Sequence, residues 1–245
     1  AHHDFIYTYQ QFNEDNMFFR DMGVDIGDFD GDEKMDIAVS AGDDTDGVFW
    51  LFFAWLEDGE IKYGGMFEDA MVGHDFSGAV GDFNHDGLDE YCMYTGGRFH
   101  FYNAGGGNNL REGGKPEKQG AYNLGNDNRN KMWGKIAAGF FINDPDNGYP
   151  IGKDQLALII KDEGSFDARL YEVNDGLDEL ALLSSKSLGN SDHINNYSII
   201  AGGLRGYGYG ANLKITPQDL WVGYSKFFDD EPAIHINYKT LRISD

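Results

Sequence analysis

Two short acidic segments have the residue types and spacing of a site for a hard cation. In the first segment, positions 1, 3, 5 and 9 are Asp28, Asp30, Asp32 and Asp36. In the second, the same positions are Asp82, Asn84, Asp86 and Glu90. Alternate residues of a tight loop can direct side-chain oxygens to a common centre, and the residue at position 7 can add a backbone carbonyl; it is Lys34 or Leu88. Oxygen ligands with high negative charge favour Ca²⁺ over Mg²⁺ or zinc, so we predict at least two calcium sites.

Two other interpretations of these loops are less consistent with the sequence. An EF-hand requires Glu at position 12 and flanking helices, whereas position 12 is Val39 or Met93 and both flanks are strand-like. Solvated turns that bind no ion are the other alternative. However, the two loops match position by position, and four clustered carboxylates in the first would repel one another without a cation.

The elements that must position these loops form an internal repeat of about sixty residues. Each unit begins with a short apolar strand, continues through Gly-Asp-Phe or a related segment and a loop, and enters a second strand. The acid that opens the second strand recurs at Asp36, Glu90, Asp154 and Asp219, at spacings of 54, 64 and 65 residues. In the third unit Phe140 replaces the first acid, and we consider an irregular third metal site made of Asn143, Asp144, Asp146 and Asp154. The loop segment of the fourth unit, at 205–210, has lost its acids.

The remainder of each unit has the pattern of β-hairpins. In the first unit, residues 48–56 face residues 60–63 across a turn at 57–59, and in the third unit residues 168–173 face 179–183 across Asn174-Asp175-Gly176. In the second unit the strand at 98–102 precedes a glycine-rich excursion that extends to about Gly120. Four strands per unit, repeated radially, predict an all-β propeller in a single domain. The expected blades are about 20–66, 74–125, 132–189 and 196–245, with the N-terminal strand at 5–12 completing the last.

Composition limits the classes of partner. The net charge of −23 argues against nucleic acid, because a phosphate backbone would be repelled. We also expect no membrane insertion, because no apolar run approaches the roughly 18 residues needed to span a bilayer. The chain is 41% hydrophobic and 15% aromatic, which is sufficient for a folded core.

The loop segments resemble the FG-GAP repeats of integrin α-subunit propellers and of many secreted proteins. The resemblance is carried by Gly-Asp-Phe-Asp-Gly-Asp at 27–32 and Gly-Asp-Phe-Asn-His-Asp-Gly-Leu-Asp-Glu at 81–90. It implies a β-propeller with calcium in the turn between the first two strands of a blade, and a secreted or cell-surface location. Glu33 and His85 stand where the family usually has glycine, which predicts strain in both loops. Integrin-type rings have seven blades, so four units imply either a compact four-bladed ring or association with other copies.

The sequence favours a non-enzymatic binding, adhesion or assembly module whose partner is a protein or a glycan. Residues in loops that could contact a sugar are Tyr207, Tyr209, Asn108, Asn109 and Arg111. No catalytic set is evident apart from the metal loops. The alternatives are a polysaccharide-active lyase or hydrolase, which would need paired carboxylates or a Tyr/His base in one pocket, and a structural subunit of a larger assembly.

Overall fold

The computed structural model describes residues 21–43, 47–70, 76–104, 110–125, 133–139, 141, 154–162, 164–191, 194–202, 219–228 and 231–241. All regular secondary structure in these ranges is β-strand, so the fold is all-β. The described part of the chain contains no helix that is long and apolar enough to cross a membrane. The strands are β1 (Asp21–Gly27), β2 (Asp36–Asp43), β3 (Val48–Glu57), β4 (Glu60–Tyr63), β5 (Phe67–Ala70), β6 (Phe76–Gly81), β7 (Glu90–Thr95), β8 (Arg98–Asn103), β9 (Glu117–Asn123), β10 (Trp133–Gly139), β11 (Gln155–Asp162), β12 (Ser165–Val173), β13 (Leu180–Gly189), β14 (Ile194–Gly202), β15 (Asp219–Phe228) and β16 (Glu231–Leu241).

The strands form four antiparallel sheets, each from one consecutive stretch of the chain. The first sheet has the order β1-β2-β3-β4, with β5 also paired to β3, and the second has β6-β7-β8-β9. The third sheet is β10-β11-β12-β13 and the fourth is β14-β15-β16. Both predicted hairpins are confirmed, because β3 pairs with β4 and β12 pairs with β13. The strand predicted at residues 5–12 lies outside the described residues.

The outer strands differ from expectation in two sheets. In the first, the strand after β3 is split: β4 pairs with the end of β3 and β5 with its beginning. The break lies at Gly64 and Gly65, whose N–H groups donate to Phe53 and Gly114 carbonyls at 2.9 Å. In the second, the predicted excursion to Gly120 is too long, because β9 begins at Glu117 and Gly120 pairs with Phe101.

The sheets stack face to face, and three apolar cores fill the spaces between them. One core joins the first and second sheets, another the second and third, and the last the third and fourth. Strand β7 shows the principle, since Tyr91 and Met93 enter the first core while Cys92 and Tyr94 enter the second. A strand covered on both faces is a nearly continuous run of buried residues. This explains why β7 lacks simple alternation of apolar and polar residues.

The first strand of each sheet lies beside the first strand of the next. β1 contacts β6, β6 contacts β10, and β10 contacts β14. The loop between the first two strands therefore occurs at the same end of successive sheets. This order places both acidic loops at contacts between neighbouring sheets.

Candidate metal centre

Each residue of the Gly-Asp-Phe segment, at the end of the first strand of a sheet, has a separate structural role. Gly27 lies against the next sheet, where an added Cβ would be 2.5 Å from Val80 Cγ1. Phe29 is buried and stacks on Phe53 with ring centroids 4.1 Å apart, and Phe83 packs edge-on against Phe101. The glycine permits close approach of the next sheet and the phenylalanine anchors the loop in its own sheet. The aspartate between them is thereby fixed at position 1 of the loop.

The first acidic loop is organised by its own carboxylates. Asp28 Oδ1 accepts from the Gly31 and Asp32 N–H groups at 2.8 and 3.2 Å, and Asp28 Oδ2 accepts from Glu33 N–H at 2.9 Å. Asp32 N–H also donates to Asp30 Oδ1 at 3.2 Å, and Lys34 N–H donates to Asp32 Oδ1 at 3.0 Å. The backbone therefore curls around the acids at positions 1, 3 and 5.

The second loop forms four of the same hydrogen bonds at equivalent positions. Asp86 N–H donates to Asp82 Oδ1 at 3.2 Å and to Asn84 Oδ1 at 2.9 Å. Gly87 N–H donates to Asp82 Oδ2 at 3.2 Å, and Leu88 N–H donates to Asp86 Oδ1 at 2.9 Å. Two loops of different sequence thus adopt one conformation, as their matched positions predict.

The strain predicted from the two missing glycines is present. Glu33 at position 6 and His85 at position 4 both have φ of 63°. This left-handed conformation is unfavourable for residues with a Cβ. In each loop the other of these two positions is a glycine with positive φ, Gly31 or Gly87.

The acid at position 9 opens the second strand and is buried in both loops. Asp36 is 1% exposed and Glu90 is fully buried. Glu90 Oε2 accepts from the Phe83 N–H at 3.0 Å, but Glu90 Oε1 and Asp36 Oδ2 are buried without a hydrogen-bond partner in the described part of the chain. Burial raises the pKa of Asp36 to about 7 and that of Glu90 to about 8, and neighbouring acids add to the rise. An orphaned buried carboxylate oxygen is costly unless a cation or a proton satisfies it.

The donor set of the first loop fits a hard cation. Side-chain oxygens of Asp28, Asp30 and Asp36 lie within 4.8 Å of one another. Three carboxylate oxygens can share one calcium ion at metal–oxygen distances of about 2.3–2.6 Å. The residues that would hold the ion are therefore those predicted at positions 1, 3 and 9. The orphaned oxygen of Asp36 supplies a ligand that the protein itself leaves unsatisfied.

An arginine from the second sheet enters the first loop. Arg111 follows β8, and its Nε donates to Asp30 Oδ2 at 2.6 Å, while an Nη donates to Asp32 Oδ2. The Lys34 ammonium also binds Asp32, at 2.8 Å, and its hydrogen bond is the main cause of the lowered Asp32 pKa. The sequence predicts Arg111 only as a residue that could contact a sugar, and it contains no signal that brings Arg111 to a loop 79–81 residues away. The structure places it as a counter-charge for the first loop.

Asp154, predicted as a ligand of the third site, does not occupy the position equivalent to Asp36 and Glu90. Gly27 pairs with Asp36, Gly81 with Glu90, and Gly139 with Gln155, so the residue equivalent to Asp36 is Gln155. The predicted alignment is wrong by one residue in the third unit. Gln155 Oε1 accepts from the Phe141 N–H at 2.8 Å, the bond made by Glu90 in the second loop. Asn143, Asp144 and Asp146 lie outside the described residues.

Asp154 instead belongs to a repeated contact between sheets. Its Oδ2 accepts from the Asp82 N–H at 3.2 Å, and its own N–H donates to the Asp82 carbonyl at 3.1 Å. Asp89 makes the same pair of bonds with Asp28, at 2.7 and 2.9 Å. Burial raises the pKa of both acids, that of Asp154 to about 6. In both cases, an aspartate that lies just before the second strand of one sheet binds the acidic loop of the preceding sheet.

A cavity of about 550 Å³ lies beside Arg111. Its walls include aromatic, acidic and basic side chains: Trp55, Glu57, Glu60, Lys62, Tyr63, Arg111 and Glu112. Of the residues predicted to contact a sugar, Tyr207, Tyr209, Asn108 and Asn109 lie outside the described residues. Arg111 is the one whose surroundings the structure gives.

A polar cluster in which Tyr102 and His100 are buried and Asp69 and Lys118 are partly exposed joins the first and second sheets. Asp69 Oδ2 accepts from Lys118 Nζ at 2.7 Å and from the Tyr102 hydroxyl at 3.0 Å. His100 Nδ1 lies 3.0 Å from Lys118 Nζ, and burial together with that ammonium lowers the His100 pKa to about 4. Tyr102 is fully buried, so a polymeric substrate could not contact its hydroxyl. The cluster ties β5 to β8 and β9 and does not form an open catalytic pocket.

Comparison with known proteins adds little to this geometry. No protein-family model and no curated protein matches the sequence. Rhamnogalacturonan lyase YesW aligns with 87% of this chain and 48% of its own, at 13% identity and a TM-score of 0.46. The exotype rhamnogalacturonan lyase YesX aligns with 87% and 46%, at 12% identity and a TM-score of 0.45. The chain spans about half the length of these two proteins.

Proposed function

We propose that this protein is a calcium-binding β-propeller module that binds a protein or glycan partner outside the cell. The observation that carries the calcium proposal is the unsatisfied, buried carboxylate oxygen at position 9 of each acidic loop. Asp36 and Glu90 are not solvated acids of a surface turn. Their oxygens face loops whose other ligand positions are also carboxylates or an amide.

Calcium suits these loops better than other common ions. Every candidate ligand is oxygen, and no described Cys or His belongs to the carboxylate cluster of the first loop. Binding would neutralise charge on a chain with a net charge of −23 and would link the loops to folding. Lys34 and Leu88, at position 7, are the expected backbone-carbonyl ligands.

The propeller proposal is supported by the arrangement of the four sheets. Each sheet would be one blade, and the successive strands β1, β6, β10 and β14 would be the innermost strands. The FG-GAP-like segments would then lie in the turn between the first two strands of a blade, as that resemblance implies.

The binding of calcium is tested by titration calorimetry and thermal melting of the chelator-treated protein. We expect saturable calcium uptake by at least two loops, and a higher melting temperature with excess calcium than with EDTA. Glu90→Gln and Asp36→Asn keep the side-chain shape but remove the charge, and each should abolish uptake by its own loop. Asp178→Asn is the matched control, because it removes a charge from an acidic turn of a hairpin. Equal melting with EDTA and calcium, with no saturable heat, would refute the proposal.

The cavity beside Arg111 is the candidate site for a polar ligand such as a glycan. Tyr63, 57% exposed, offers a ring for stacking, and acidic and basic groups around it offer hydrogen bonds to hydroxyls. Tyr63→Ala should weaken glycan binding, whereas Leu182→Ala, an exposed apolar residue of β13, should not. The same cavity carries three glutamates, so the polysaccharide-active alternative is tested in parallel by release of shortened or unsaturated products from the bound glycan.

A further inference from the structure

The first sheet presents an exposed apolar face on its first strand. Met22, Val24 and Ile26 alternate along β1 and are 58%, 64% and 64% exposed. Met35, just before β2, is also 63% exposed. Isolated exposed apolar residues are ordinary, but three on one face of one strand form a continuous apolar stripe. We call Met22, Val24 and Ile26 the β1 stripe.

The strand registers identify the residues equivalent to the β1 stripe in the other sheets. Because Gly27, Gly81, Gly139 and Gly202 each pair with the first residue of the following strand, they are equivalent. The stripe therefore corresponds to Phe76, Gly78 and Val80 in β6, to Gly134, Ile136 and Ala138 in β10, and to Tyr197, Ile199 and Ala201 in β14. None of these nine residues is exposed.

In each of those three sheets, the preceding sheet covers the equivalent face. Cβ atoms added to Gly78 and Gly134 would collide with Asp25 of the first sheet and Tyr94 of the second, respectively. Tyr197, Ile199 and Ala201 pack on the core shared with the third sheet. The β1 stripe thus has the position of an inter-sheet contact, but no sheet in the described part of the chain covers it.

Ser198 marks the face of the fourth sheet that is equivalent to the face by which the second sheet contacts the third. In the contact between the second and third sheets, Ser77 Oγ accepts from the Ile136 N–H at 3.0 Å. Ser198 of β14 is equivalent to Ser77, and Val24 is equivalent to Ile136. Ser198 is exposed, whereas Tyr197 and Ile199, which alternate with it, pack on the third sheet. The fourth sheet therefore offers the face that would precede the first sheet.

We propose that the β1 stripe is covered by the fourth sheet of a second copy of this chain. The fourth sheet of the same chain is present in the structure and leaves the stripe exposed, so it does not supply this cover. A contact between the first sheet of one copy and the fourth sheet of another is heterologous, because it joins two different surfaces. Two copies that make this contact twice form a closed ring in which both β1 stripes are covered. Met35 has the position that Asp89 and Asp154 have in the second and third sheets, where each aspartate binds the acidic loop of the preceding sheet. The proposed contact between copies is therefore more apolar than the contacts between sheets of one chain. The inference does not depend on calcium.

The first test is the native mass of the full chain. We expect the unchanged protein to have twice the 27.4 kDa mass of one chain. The double variant Val24→Glu/Ile26→Glu should have the mass of a single chain. Leu182→Glu is the matched control, because Leu182 is 56% exposed on the outer strand of the third sheet and should leave the mass doubled. A single-chain mass for the unchanged protein at all concentrations would overturn the proposal.

The second test identifies the occupant and does not rely on a disruptive variant. Cys92 is buried and is the only native cysteine, so Val24→Cys/Ser198→Cys introduces the only accessible thiol pair. On mild oxidation we expect a disulfide-linked dimer on a non-reducing gel, and no linked dimer from Leu182→Cys/Ser198→Cys. A disulfide formed within one chain would show that the chain closes on itself, and no disulfide at all would show that these faces do not meet; either result overturns the proposal.

Discussion

Replacing Arg111 with glutamine should strengthen calcium binding by the first loop. The guanidinium of Arg111 binds Asp30 and Asp32 and therefore supplies positive charge where the ion would lie. An ion bound through the other oxygen of Asp30 would be roughly 5 Å from the guanidinium, given metal–oxygen distances of about 2.4 Å. Glutamine removes the charge and retains a polar side chain of similar reach.

The magnitude follows from the repulsion between a divalent ion and a single positive charge. At roughly 5 Å this repulsion is about 7 kcal/mol for an effective dielectric constant near 20, and about 1.7 kcal/mol for the value of water. The Arg111 side chain is 28% exposed, so solvent and salt screen part of the interaction and we use the lower value. A gain of about 1.7 kcal/mol is more than a tenfold fall in Kd.

The assay is calcium titration in a Glu90→Gln background, in which the first loop is the measured site. Lys62→Gln is the control, because it removes an equal charge from the wall of the neighbouring cavity without touching the loop acids. With Glu90 intact, the second loop should keep its affinity in Arg111→Gln. If the first loop of Arg111→Gln bound calcium no more tightly than the first loop of Lys62→Gln, Arg111 would not compete with the ion, and the prediction would be wrong.

Two further predictions concern stability. Gly81→Ala should lower the free energy of unfolding by about 1–3 kcal/mol in urea titrations, because the new Cβ would lie 2.7 Å from Asp154 Oδ2 and overpack the contact between sheets; no change would mean that the loop can shift freely. His100 is held neutral with a pKa of about 4, below its ordinary value of about 6.5. The unfolded chain therefore binds the additional proton between these values, and stability falls as the pH drops through this window, by up to about 3 kcal/mol. Unfolding at pH 7 and pH 4.5 should show a smaller loss in His100→Gln than in the unchanged protein, and parallel losses would contradict this assignment.

The sequence determined the features that depend on local chemistry. The spacing of Asp28, Asp30 and Asp32 specifies a loop that hydrogen-bonds to itself, and the second loop forms four of the same five bonds because its residues match at those positions. Asx-Gly turns specified both predicted hairpins, since strand pairing across a tight turn is decided by residues a few positions apart. The all-β class follows from repeated apolar strands and turns.

Tertiary structure alone decided which residues from distant parts of the chain surround these loops. Arg111 lies 81 residues from Asp30, Asp154 lies 72 from Asp82, and Asp89 lies 61 from Asp28. These separations carry no periodic signal, because they depend on how one sheet stacks on the next. The shift from Asp154 to Gln155 became visible only through strand register, since neighbouring residues of a strand point to opposite faces. The alternation of apolar residues in β1 likewise does not show whether another sheet covers the face they form, because that depends on how the sheets stack.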